Sequence, residues 1–248
     1  MAKEIIVYGK KPFLEAAHTY PDGLGNVFIE EHVRDEDIWR AVKHAGLVPK
    51  LLTKRTAEHL VGDAPHQGVV AKFDGSLLLH KLDTLPALET PTADTCIVVL
   101  AELTDPQNVG AIIRSAASFG AAAVLIPEHN QASLSGAVIK ASAGAAFHIP
   151  LAEIGNINQT LRMLKERGFW VYGLARDGMN VLSEEKFTEP AAFVIGNEGT
   201  GLRQKTREHC DIVLSIPQSN RAESLNASVA AAVSLYQWSR QHPRALHV

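Results

Sequence analysis

Cysteine is scarce in this chain. The 248 residues include two, Cys96 and Cys210. Each sits in an apolar, strand-like run, and neither has a partner at metal-ligand spacing. Both read as reduced, buried thiols, which argues against a disulfide-stapled secreted fold and a structural zinc site. Long apolar runs are also missing. No stretch reaches the roughly 18 residues that a membrane helix needs. Lys3-Glu4 interrupts any N-terminal signal pattern, so a cytoplasmic protein is expected. Excess positive charge is absent as well: the formal net charge is -3. That counts mildly against a nucleic-acid partner, although a local basic patch can coexist with a neutral total. No low-complexity tract or internal repeat is visible. The remainder is ordinary globular composition, 46% apolar and 21% charged, enough for a core of good size.

Along the chain, residues 1–73 alternate strand-like and helix-like stretches and predict a small α/β domain. Asp35 is a candidate N-cap for a helix that Gly46 stops. From 74 to 95 the pattern loosens around Pro86 and Pro91, which predicts a linker with at most one short helix near Leu77 to Leu85. From residue 96 to 248 the alternation becomes regular. Apolar runs at 96–100, 122–126, 147–150, 169–174, 191–195 and 212–216 predict strands, with helices between them. Runs such as Cys96 to Leu100 have no polar face, as in a parallel sheet with helices on both faces. Asn108 is expected to cap a helix over 109–119 that Gly120 ends.

Three segments carry unusual residues. A polar loop follows the strand at Ile212 and leads through Ser224-Leu225-Asn226 into a helix dominated by small residues, so something must lie close to that helix's backbone. Gly196-Asn197-Glu198-Gly199-Thr200-Gly201 follows another strand, and its glycines permit sharp turns and close approach. The run lacks the Lys-Ser or Lys-Thr of a phosphate loop and the spacing of a dinucleotide fingerprint. By itself it fits a ligand loop and a plain turn equally well. Arg114 lies six residues after Asn108 in an otherwise apolar helix, where it is a surface arginine or an anion contact.

Taken together, DPQNVGAIIRSAASFGA (105–121), FVIGNEGTGL (193–202) and SIPQSNRAESLNASVAAAVSLY (215–236) resemble the three motifs of the SpoU family, also called TrmH, of RNA 2′-O-methyltransferases. Order and spacing agree over about the last 150 residues. YGKKPFLEA (8–16) and HQGVVA (66–71) are similar to the ends of the small RNA-binding domain found in family members that modify 23S rRNA.

The resemblance implies a SPOUT fold whose C-terminal part is tied in a trefoil knot, preceded by the small α/β RNA-binding domain. It implies a homodimer, S-adenosyl-L-methionine as methyl donor, no metal, and RNA as substrate, most simply a guanosine of 23S rRNA. Gly196, Ile216 and Leu225 match positions whose backbone holds the cofactor's adenine and ribose, with Gly201 and Ala175 in the same pocket. Asn108, Arg114, Glu198, Ser224 and Asn226 match the polar active-site positions, and Arg114 matches the arginine assigned to the ribose 2′-hydroxyl. One departure stands out: Ala101-Glu102 occupies the place of the family's usual Asp-Gly. Basic residues are sparse and, in the front part, balanced by acids. Methylation of a tRNA ribose and a non-catalytic RNA-binding paralogue are the alternatives.

Overall fold

The computed structural model describes residues 4–197, 199–219, 221 and 223–247. Two sheets organise the chain. The first contains β1 (Glu4–Tyr8), β2 (Leu24–Ile29), β3 (Lys50–Leu51) and β4 (Val69–Asp74). Between its strands run α1 (Lys10–Thr19), α2 (Glu36–His44) and α3 (Lys54–Val61). The strand order is β1-β4-β2-β3, with β4 antiparallel to both of its neighbours. Asp35 caps α2 by accepting the Asp37 N–H at 3.1 Å, and Gly46 follows the helix at φ 63°, a conformation that suits glycine.

The second sheet contains β5 (Leu79–Lys81), β6 (Cys96–Leu100), β7 (Ala123–Pro127), β8 (Leu151–Ile154), β9 (Trp170–Leu174), β10 (Asn180–Val181), β11 (Ala191–Ile195) and β12 (Ile212–Ser215). Its helices are α4 (Pro106–Ser118), α5 (Gly136–Ala141), α6 (Ile157–Glu166), α7 (Gln204–Glu208) and α8 (Ala227–Gln241). The order is β10-β12-β9-β11-β6-β7-β8-β5, and every pairing is parallel. Alternate residues of each central strand feed opposite cores. Cys96, Val98 and Leu100 meet α4, α5 and α8 on one face; Ile97 and Val99 meet α6 on the other. That two-sided burial explains the uninterrupted apolar runs. Burial also pushes the Cys96 thiol up and the Cys210 thiol up to about 12, so both are protonated at neutral pH.

Local differences from the sequence pattern have physical causes. The strand expected at 147–150 begins instead at Leu151. Residues 145–147 form a 3-10 turn that aims Phe147 into a cluster with Tyr20 and Phe73, at ring-centroid distances of 6.3 and 5.2 Å. The 74–95 segment contributes β5 to the sheet edge and 3-10 turns rather than a helix near Leu77 to Leu85.

The two sheets meet at α5 and the turn after it. Gly136 lies so close to β1 that an added Cβ would stand 1.9 Å from the Ile6 carbonyl oxygen. A Cβ on Gly144 would stand 2.6 Å from Glu15 Cγ. Lys140 Nζ donates to Gln67 Oε1 at 2.8 Å, and His148 pairs with Glu15 at 2.8 Å. Desolvation at this junction lowers the Lys140 pKa. One apolar cluster runs from Ile5 through the junction to Trp238.

Candidate active site

A cavity of about 470 Å³ opens at the carboxyl ends of β9, β11 and β12, where open parallel sheets place ligands. Ala175, Gly196, Gly201, Ile216, Ser224 and Leu225 all line it. Three loops distant in sequence therefore converge, because three adjacent parallel strands end side by side. The walls mix aliphatic side chains (Leu174, Leu214, Ile216, Leu225) with backbone at Gly196, Gly199 and Gly201.

Asn197 holds the glycine loop in shape. Its Oδ1 accepts the N–H groups of Gly199 and Thr200 at 2.9 and 3.2 Å, and its Nδ2 donates to the Glu102 carbonyl at 2.8 Å. Asn197 and Gly201 also exchange backbone hydrogen bonds of 3.0 Å, which folds the loop back on itself. A Cβ on Gly196 would come within 2.6 Å of the Gly201 backbone, so only glycine lets the two strands of the loop close. Glu102 takes φ 63°, a left-handed conformation that favours glycine, and its carboxylate pairs with Arg203 at 2.5 Å. The departure seen in sequence thus puts a charged residue where the backbone favours glycine, anchored by an ion pair.

Asn108 does not cap α4. Asp105 does, accepting the Gln107 N–H at 2.9 Å, with Pro106 as the first helical residue. Asn108 is thereby inside the first turn, buried, and its Oδ1 accepts from Asn226 Nδ2 at 2.9 Å. Asn226 in turn caps α8, its Oδ1 accepting the Ser228 and Val229 N–H groups at 2.8 and 3.4 Å. One side chain therefore starts the last helix and ties it to α4. Small residues of α8 serve this close approach on one face, where Ala227, Ala231 and Ser234 are buried.

Arg114 lies elsewhere. It is exposed on α4, does not line the cavity, and pairs with no other described residue. Glu198 lies outside the described residues. At the cavity rim, Arg207 grips both carboxylate oxygens of Asp177 at 2.8 Å, which holds that carboxyl below its ordinary range. Arg176 donates to the Glu223 carbonyl and closes the rim from the other side. Sequence reasoning missed Asn197, Arg176 and Gln218. Asn197 had a signal, an asparagine between a strand end and a glycine, which favours a side-chain-capped turn.

The cavity is large enough for a nucleoside-sized ligand, and its glycine backbone and aliphatic walls offer hydrogen bonds beside an apolar slot. Among the described residues, no group of three His, Cys, Asp or Glu side chains could hold a metal ion, and no helix is long and apolar enough to cross a membrane.

Comparisons with known proteins agree with this geometry. The sequence model of the SpoU rRNA Methylase family matches residues 95–236, and that of RNA 2′-O ribose methyltransferase substrate binding matches residues 6–77. The 23S rRNA (guanosine-2′-O-)-methyltransferase RlmB of Yersinia pestis is 36% identical over 239 residues, covering 95% of this chain and 97% of RlmB. An uncharacterized tRNA/rRNA methyltransferase of Synechocystis sp. is 34% identical over 243 residues; the alignment takes in 95% of this chain and 62% of that longer protein. The crystal structure of the SpoU methyltransferase AviRb from Streptomyces viridochromogenes, in complex with AdoMet, superposes with a TM-score of 0.81 at 24% identity, over 97% of this chain and 91% of AviRb, a likeness of fold. The family motifs, the converging loops and the near full-length relatives agree: this chain belongs to the SpoU rRNA methylase family.

Proposed function

We infer that this protein is an S-adenosylmethionine-dependent RNA 2′-O-methyltransferase that acts on a guanosine of 23S rRNA. The observation that carries this is the convergence of Ala175, Gly196, Gly201, Ile216 and Leu225 on one cavity at the strand ends. S-adenosylmethionine supplies a methyl group already made electrophilic by its sulfonium. The protein's task is then alignment. Gly196, Ile216 and Leu225 offer backbone groups to the nucleoside, and the aliphatic walls exclude water from it. Asn108 and Asn226 fix the α4 and α8 ends against each other, and Ser224, on the cavity wall, is assigned to the reacting groups.

Arg114 is assigned to the RNA. A guanidinium stays protonated in proteins, so it is a poor base. It is suited to holding the phosphate beside the target ribose and to stabilising the alkoxide as it forms. Glu198 is assigned to orienting Arg114 or the ribose. Because Arg114 does not line its own chain's cavity, a homodimer is part of the proposal. Val229, Val233 and Tyr236 are exposed on α8 at i, i+4 and i+7, and the Tyr236 ring lies tilted against that of Phe119, just past the end of α4, at 5.9 Å between centroids. This apolar stripe is the face on which a second copy would bury surface and bring in Arg114.

The division of labour follows the two sheets. Residues 1–73 would grip RNA, residues 74–95 link, and residues 96–248 catalyse. A trefoil knot in the last part is supported by β12 lying outside β9 and by Gly178, where a Cβ would touch the β12 backbone at 2.6 Å. The compartment is the cytoplasm, where rRNA is modified.

Methyl transfer from labelled S-adenosylmethionine to total RNA of a strain lacking the protein tests the assignment. Label is expected in 23S rRNA as 2′-O-methylguanosine. Label in tRNA alone would overturn the substrate. In the same assay Arg114→Ala is expected to lower transfer about a hundredfold or more, with cofactor affinity retained. Lost cofactor binding in that variant would refute the role given to Arg114.

A further inference from the structure

Gln218 lies in the loop after β12 and lines the cavity. Its side-chain carbonyl, Oε1, is buried and has no hydrogen-bond partner. The same wall includes Leu174, Leu214, Ile216 and Leu225, which offer no side-chain donor. A buried acceptor without a donor is costly, and native proteins leave few of them. Three other polar side chains of the wall are committed. Asn197 Oδ1 and Nδ2 are used in the glycine loop, Arg207 is held by Asp177, and Arg176 by the Glu223 carbonyl. Pro217, immediately before Gln218, has no N–H and restricts the loop backbone. The free acceptor is therefore a feature of a cavity that expects an N–H from its ligand.

We propose that Gln218 is a specificity-determining residue of the cofactor pocket, whose side-chain carbonyl accepts a hydrogen bond from an amino group of the bound cofactor. The proposal rests on the reading that this cavity holds S-adenosylmethionine. That molecule carries two amino groups, the exocyclic amine of adenine and the α-ammonium of its methionine part. A neutral acceptor suits either, and it does not by itself favour the sulfonium. Gln218 would then recognise the nucleoside-amino acid skeleton without regard to whether the methyl group has left. The product, which lacks that methyl, should be held by the same contact.

The test uses the full chain and measures binding of S-adenosylhomocysteine and of 5′-methylthioadenosine, which keeps the adenine amine and lacks the amino acid. Gln218→Met and Gln218→Leu remove the acceptor with little change of volume. Unchanged melting temperatures confirm that they fold. A loss of about fivefold or more for S-adenosylhomocysteine in both variants is expected. If the same loss appears with 5′-methylthioadenosine, the partner is the adenine amine; if it vanishes there, the partner is the α-ammonium. Equal affinity of the wild type and both folded variants for both ligands would overturn the proposal. Failure of the wild type to bind S-adenosylmethionine at all would instead overturn the cofactor assignment, and the two failures are thus distinct.

Discussion

Glycine recurs both at the junction between the sheets and around the cavity, in opposite surroundings. At the junction it is needed because space is full. A Cβ on Gly136 or Gly144 would strike the facing element, and one on Gly9 would stand 2.1 Å from Lys140 Nζ. Over the cavity the glycines face open space. A Cβ on Gly201 would meet nothing within 4 Å, and one on Gly199 would meet only Asn197 Oδ1, at 3.6 Å. Gly196, at the root of the loop, is packed like a junction glycine. The junction is thus a finished contact, whereas the loop is closed at its base and bare at its tip. Close approach between protein elements and close approach to a ligand both select glycine, and only the neighbourhood tells them apart.

Substitutions can break this contrast at chosen points. Gly196→Val should have the largest effect. The side chain would collide with the Gly201 backbone, and cofactor affinity should fall about a hundredfold. Calorimetric titration of the folded variant checks it, and retained affinity would mean that the loop root is not part of the pocket. Gly136→Val comes next. It should push the front sheet away from α5 and lower RNA turnover about thirtyfold while cofactor affinity stays as in wild type. Small-angle scattering should show a larger radius for this variant. Lys140→Ala removes one hydrogen bond across the same junction and should raise the KM for RNA about threefold, with kcat unchanged. A fall in kcat alone would place Lys140 in the chemistry instead. The smallest effect is expected where the contrast is inverted, at Glu102. Glu102→Gly relieves a left-handed backbone but loses the Arg203 pair, so the melting temperature should move by no more than about 4 °C.

The legible parts of this molecule are those where one residue's environment decides its neighbours. Cys96–Leu100 and Ala191–Ile195 were readable to the residue because burial on both faces leaves no polar position in the run. The family resemblance assigns Ala175, Gly196, Gly201, Ile216 and Leu225 to the cofactor, and the strand ends bring all five to one cavity. Asn108 was misplaced as a cap because Asp105 and Pro106 offer the stronger helix start, a competition that spacing alone does not resolve. Strand β8 was placed too early because Phe147 reads as a strand residue, yet it serves a cluster with rings from the other sheet. Nothing local in the sequence records such a contact. The same holds for Arg114, whose helix was foreseen while its distance from its own chain's cavity was not.

The apolar cluster that runs unbroken from Ile5 to Trp238 has a consequence for how the molecule comes apart. The front sheet has only a small core of its own, Leu52, Ala57 and Val70; a front sheet that relied on such a core alone could melt first and leave the rest standing. Here Phe147, Val138 and Ile139 belong to the same cluster as Val7, Phe13 and Phe73, so the loss of one side uncovers the other. Heating should give a single cooperative transition. A chain trimmed of its first 73 residues would carry a raw hydrophobic scar along α5, and would be sticky before it was inactive.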